Sequence, residues 1–294
     1  MPRVKVNGHV ELEWDSFGRE DAPPVLLVMG LGSPMIYWDE RLCEDLARRG
    51  RRVIRFDNRD CGLSTKFDDH GAPDLGAIVS ALATGTQPPA AYLLSDMAAD
   101  VAGLLDALDI ESAHVVGASL GGMISQTLAI EHPQRVRTLT SIMSTTGRAG
   151  LPGPTPDATR VLLTPPPADR QGAIERAVDT WRTISGPGFP FDEAMVRDRA
   201  GRAFDRGQSP AGTARQLAAI LASGGREEPL ARVTAPTLVI HGDLDPLVPI
   251  DGGRDTAACI PGAEMLVVPG MGHSLPVEVW PVVLDAVERH TARA

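Results

Sequence analysis

The chain has 294 residues, of which 43% are hydrophobic and 22% charged. This excludes disorder as the default and leaves one large domain, or a domain carrying an insertion. Lys and Arg total 28 against 38 Asp and Glu, a net charge of −10. That balance argues against a nucleic-acid partner, because neutralising a phosphate backbone needs clustered cations.

Cys43, Cys61 and Cys259 stand far apart with no C-x-x-C pair. Neither a zinc site nor a disulfide framework is signalled, and reduced thiols in a cytoplasmic protein are the expectation. Residues 1–5 (M-P-R-V-K) open a charged, alternating segment without the apolar stretch of a signal peptide. The apolar run 25–29 is far too short to span a bilayer, so no membrane association is expected.

In chain order, residues 4–14 alternate apolar and polar around Asn7-Gly8, which suits an antiparallel ribbon with a tight turn. Residues 25–29 (V-L-L-V-M) are apolar on both faces and read as a buried parallel strand ending in Gly30-Leu31-Gly32. Further strands are expected at 52–56, 113–116, 136–143, 236–240 and 264–268. Helical spacing appears over 38–49, with Leu42, Leu46 and Ala47, and over 95–108, with Met97, Val101, Leu104, Leu105 and Leu108. Ser95 or Asp96 is the expected cap of the latter. Segments 123–130 and 277–290 complete an alternation that implies a mostly parallel sheet covered on both faces.

The alternation breaks between about residues 147 and 232. Six prolines fall within 150–167, and helix-like stretches follow at 172–184, 192–204 and 211–221. The expected organisation is an α/β core of residues 1–146 and 232–294 interrupted by a helical cap, residues 147–231. A cap at the carboxyl ends of the strands would lie over the usual ligand crevice. Within it, Pro165-Pro166-Pro167 and Gly186-Pro187-Gly188 read as rigid loops rather than hinges.

Gly117-Ala118-Ser119-Leu120-Gly121 fits G-x-S-x-G. Alone the pattern is weak, but here a strand precedes it and a helix follows, the strand–turn–helix elbow that exposes a nucleophilic serine. A hydroxyl needs an adjacent base, and His273 in Pro269-Gly270-Met271-Gly272-His273 follows the last expected strand. The imidazole needs an orienting carboxylate. By spacing alone, Asp243 or Asp245 qualifies, both following strand 236–240. The order Ser, Asp, His matches one triad lineage and not those of chymotrypsin or subtilisin. Oxyanion donors are expected from Leu120 N–H and from Leu31 N–H, with Gly32 N–H as the alternative. Met123, Trp181, Ile184, Phe189 and Leu275 are candidates to line an apolar acyl pocket, although large apolar residues more often simply fill cores.

These motifs, in this order, resemble the α/β-hydrolase fold superfamily over nearly the whole chain. Residues 55–64 (R-F-D-N-R-D-C-G-L-S) look like its D-x-R-G-x-G-x-S segment, with Asp60-Cys61 replacing the usual Gly-x pair. Residues 236–242 (P-T-L-V-I-H-G) look like the segment before its catalytic acid, and the resemblance places that acid on Asp245. A closer resemblance, to aclacinomycin methylesterase and related actinobacterial hydrolases, rests on 26–30, 53–57, 114–117, 269–273 and Trp181-Arg182-Thr183-Ile184-Ser185-Gly186 in the insertion. The resemblance implies an eight-stranded, mostly parallel sheet with a helical cap. It also implies hydrolysis of an ester through Ser119, Asp245 and His273 with no cofactor or metal, as in removal of a methyl ester from an anthracycline-type polyketide. A small-molecule ester is the expected partner. Asp57 and Arg59 are expected to form loop-tying ion pairs, and Cys61 is not expected to act as a nucleophile. Perhydrolase, haloperoxidase, lactonase or carbon–carbon hydrolase activity on the same triad is the rival chemistry. A non-catalytic ligand-binding member of the fold is the rival class.

Overall fold

The computed structural model describes residues 2–164 and 167–293, so Pro165 and Pro166 of the proline-rich loop lie outside the described residues. One sheet holds β1 (Arg3–Lys5), β2 (Glu11–Phe17), β3 (Pro24–Val28), β4 (Arg52–Phe56), β5 (Ala113–Ala118), β6 (Val136–Ile142), β7 (Thr237–Gly242) and β8 (Glu264–Val268). Their spatial order is β1-β2-β4-β3-β5-β6-β7-β8. β1 and β2 join antiparallel, and β3 to β8 pair parallel throughout. The chain steps one way from β3 to β4 and then returns to the other side of β3 with β5. That reversal opens a crevice at the carboxyl ends of β3 and β5.

The helices are α1 (Glu40–Arg48), α2 (Leu75–Thr84), α3 (Leu94–Ala107), α4 (Leu120–Glu131), α5 (Pro156–Leu163), α6 (Arg170–Ile184), α7 (Glu193–Asp205), α8 (Pro210–Ser223), α9 (Glu227–Leu230), α10 (Ile250–Cys259) and α11 (Trp280–Thr291). The apolar strands feed two cores because successive side chains point to opposite faces. Leu26, Val28, Ile54, Phe56 and Val115 join residues of α3 and α4 on one face. Val25, Leu27, Val53, Val116 and Ala118 join residues of α1 and α11 on the other. Each of the Val, Leu, Ile and Phe side chains so buried contributes about 1.5–3 kcal/mol. This double burial is why those strands carry no polar alternation.

α5 to α9 occupy the chain between β6 and β7, where the alternation of strand and helix breaks. Pro156 opens α5 at its first turn, where its missing N–H costs nothing, and Thr155 caps it. Neither expected cap of α3 is the N-cap: Leu93 holds that place, and Asp96, three residues on, turns back to accept from the Leu93 N–H at 2.7 Å. α2, α5 and α10 stand where the sequence showed no helical pattern. Among the described residues, no helix is long and apolar enough to cross a membrane.

Candidate active site

Ser119 sits between β5 and α4 with φ 56° and ψ −121°, a conformation that a non-glycine residue adopts only when its surroundings impose it. The surroundings are explicit. A Cβ at Gly117 would lie 2.1 Å from the Gly121 carbonyl oxygen, and one at Gly121 would lie 2.0 Å from that of Val28. The Ser119 N–H donates to Ile142 O at 2.9 Å, and its carbonyl accepts from Ser144 Oγ at 2.8 Å. Glycines on both sides thus let the turn close tightly enough to aim the hydroxyl out of the crevice.

His273 is buried and lies with Nε2 2.9 Å from Ser119 Oγ and Nδ1 2.7 Å from Asp245 Oδ2. Asp245 Oδ1 accepts from the N–H groups of Leu247 and Val248 at 2.9 and 2.8 Å, which fixes the carboxylate plane. Asp243, equal by spacing, instead accepts from Gly270 N–H at 2.6 Å and braces the loop that carries His273. The neighbouring His241 donates from Nε2 to Val248 O at 2.9 Å and stands 3.6 Å from Asp245. Burial holds its pKa below the ordinary histidine value, so it adds no cation beside the carboxylate.

The inserted helices reach this site directly. The His273 N–H donates to Ile184 O at 2.7 Å, and the Gly272 N–H to Ser185 O at 3.0 Å. Backbones meet where Gly186 and Gly188 face Gly272 and Gly270. A Cβ at Gly188 would lie 2.3 Å from Gly270 O, and one at Gly272 2.3 Å from the Ser185 carbonyl carbon. The sequence marked these glycines only as loop formers.

The loop after β3 is held at most of its polar groups. Met29 O accepts from Asn58 Nδ2 at 2.9 Å, Gly30 O from Ser33 N–H at 3.3 Å, and Met35 N–H donates to Asp57 Oδ1 at 2.7 Å. The Gly32 N–H donates to Gln216 Oε1 at 2.8 Å. Of the two N–H groups weighed from the sequence, Gly32's is therefore already engaged. Among the described residues, the N–H groups of Leu31 and Leu120 have no acceptor. A Cβ at Gly30 would touch that of Ser119 at 3.2 Å, so the loop passes close to the hydroxyl.

A cavity of about 610 Å³ opens over Ser119 and His273. Trp181, Ile184, Phe189 and Leu275 line it, as does Tyr37, whose ring stacks on Trp181 at 5.4 Å between centroids. Met123 does not line it. Its side chain points into the core beneath α4, with Leu120, Ile124 and Leu128, a correction whose cause is that α4 is buried on nearly every side. Asp57 accepts from Arg206 at 2.6 Å, Arg59 forms a forked pair with Asp100 at 2.6 and 2.8 Å, and Arg215 forks onto Asp60 at 2.8 and 2.7 Å. These pairs tie the loop after β4 to its neighbours. Burial raises the pKa of the Cys61 thiol far above its ordinary value, which keeps it protonated and unreactive. Among the described residues, no three His, Cys, Asp or Glu side chains gather as a metal site requires.

The sheet order, the strained serine and the crevice at the strand ends define the class of protein. The chain belongs to the α/β-hydrolase fold family, whose model matches residues 23–278. It is 32% identical to rhodomycin D methylesterase DauP of a Streptomyces species and to rhodomycin D methylesterase DnrP of Streptomyces peucetius. Each match spans 100% of this chain and 99% of the relative. Among solved structures, the enol-lactonase of Burkholderia xenovorans superposes with a TM-score of 0.74 at 23% identity, covering 99% of this chain and all of that one. The esterase RhEst1 of a Rhodococcus species superposes with a TM-score of 0.75 at 20% identity, covering 99% and 97%. At these identities the two structures bear on the fold alone.

Proposed function

We propose that this chain hydrolyses a carboxylic ester through an acyl-enzyme on Ser119, and that its substrate is the methyl ester of a flat, polycyclic acid. One observation carries the reading: Ser119 Oγ, His273 and Asp245 stand in line at 2.9 and 2.7 Å. His273 takes the hydroxyl proton through Nε2 as Oγ attacks the ester carbonyl. Asp245 holds the proton on Nδ1 and stabilises the imidazolium. Leu31 and Leu120 N–H groups receive the oxyanion. The proton passes to the departing alcohol, and a water activated by the same imidazole releases the acid.

The two methylesterase relatives support the methyl ester, and the Tyr37–Trp181 stack in an apolar cavity supports a planar acyl body. A 610 Å³ cavity lies in the range that buries a drug-sized ligand. In this reading residues 147–231 are the cap that closes over that body, and the partner is this small ester. Free thiols at Cys43, Cys61 and Cys259 support a reducing, cytoplasmic setting.

The test is to incubate the protein with methyl esters of tetracyclic aromatic acids and of simple aliphatic acids, and to measure methanol released. Faster turnover of the polycyclic esters is expected. Turnover of aliphatic esters alone would overturn the substrate class. Peracid formation from acetate and peroxide without ester turnover would move the reading to the rival chemistry.

A further inference from the structure

We propose that Gln216, on the cap helix α8, is a positioning residue for the oxyanion donor Leu31; the inference rests on the ester-hydrolase reading above. Gln216 is fully buried. Its Oε1 accepts from Gly32 N–H at 2.8 Å, and its Nε2 donates to Arg59 O at 2.7 Å. Both ends of the amide are thus spent on backbone of the core, and a side chain so placed has one rotamer. The peptide it captures is the one immediately after Leu31, whose own N–H has no acceptor among the described residues.

A second contact from the same helix fixes the same peptide. Gly32 has φ +61°, and a Cβ there would lie 2.6 Å from Thr213 Oγ1. Thr213 packs over Gly32 from one side while Gln216, one turn on, grips its N–H. The neighbouring Arg215 anchors α8 through its fork onto Asp60. Ser33 Oγ donates to Leu31 O at 3.3 Å, so the carbonyl flanking the donor is also taken. The loop would otherwise be free to turn the Leu31 N–H away from the oxyanion, since Gly30 and Gly32 on either side relax the backbone. Oxyanion donors act only when preorganised, and small misplacements cost large factors in rate. A cap residue therefore sets the geometry of a donor it does not touch.

The experiment compares wild type with Gln216→Met and Gln216→Glu. It measures kcat and KM on p-nitrophenyl butyrate, inhibition by a trifluoromethyl ketone whose serine adduct carries an oxyanion, and thermal stability. Gln216→Met is expected to lower kcat about 10- to 100-fold, with KM within about threefold. Ketone affinity is expected to fall in step with kcat/KM. A buried Glu facing a carbonyl is held protonated and reproduces both hydrogen bonds, so Gln216→Glu is expected to recover most of kcat. If Gln216→Met proves unstable, Gln216→Asn, one methylene too short to reach the Gly32 N–H, carries the comparison, with the same losses of kcat and ketone affinity expected. Unchanged kcat, or a rise in KM with ketone binding intact, would overturn the inference and leave Gln216 a packing residue. If Ser119→Ala, assayed alongside, kept full turnover, the underlying reading would fail instead.

Discussion

The backbone N–H of His273 donates to the carbonyl of Ile184 at 2.7 Å, so the loop that carries this imidazole is tied to the last turn of α6. The two residues are far apart in sequence. The close approach is possible because a side chain at Gly186, Gly188, Gly270 or Gly272 would meet the opposing backbone. The same helix carries Trp181, which lines the cavity over Ser119 and His273.

The two aspartates after β7 divide their work, and substitution separates them. Asp245→Asn is expected to lower kcat by about 10³–10⁴, because an amide presents the wrong partner to His273 Nδ1. Asp243→Asn keeps an acceptor for Gly270 N–H and is expected to stay within about threefold of wild type. Steady-state rates on one p-nitrophenyl ester settle it. Equal losses in both variants would contradict the division.

Met123 and Trp181 were equal candidates for the pocket, and their truncations should differ in kind. Met123→Ala opens a void in the core and is expected to cost about 2–5 kcal/mol of stability with KM unchanged. Trp181→Ala removes a cavity wall, so it is expected to raise KM for aromatic esters several-fold while unfolding less readily than Met123→Ala. Urea unfolding and KM, measured on both, check the contrast.

Three buried histidines other than His273 are expected to contribute to the loss of stability in acid. Burial lowers the His114 pKa from 6.5 to about 4, and burial also lowers those of His241 and His290. The folded state thus holds them neutral, while the unfolded chain binds protons near pH 6.5. Their contribution is complete above pH 6.5 and is lost as pH falls toward 4. For His114 it amounts to about 3 kcal/mol at most. Urea midpoints between pH 8 and pH 4 should fall steadily, and His114→Gln should flatten the curve. A midpoint that rises toward pH 4 would contradict the sign.

Strand β3 was legible because double burial writes itself as a continuous apolar run, and residues 52–56 and 264–268 coincide with β4 and β8. Ser119, His273 and the two aspartates were legible because their loops follow such strands. Helix α10 was not, since its sequence I-D-G-G-R-D-T-A-A-C carries two glycines that lower helix propensity. Tertiary packing demands them: a Cβ at Gly253 would lie 2.4 Å from His241 Nδ1, and one at Gly252 2.8 Å from Thr145 Cβ. Met123 misled for the opposite reason, because a helix apolar on nearly every face does not reveal which side meets a cavity. Gln216 left no signal at all. Its partners are backbone groups of two remote loops, which no local pattern encodes.

The central claim, that Ser119 is the nucleophile, is tested most directly by hydrolysis of p-nitrophenyl acetate, butyrate and octanoate by wild type and Ser119→Ala. The expected result is turnover by wild type and a loss of at least about 10³-fold in the variant, with the fold intact by circular dichroism. Equal turnover by both proteins would contradict the account.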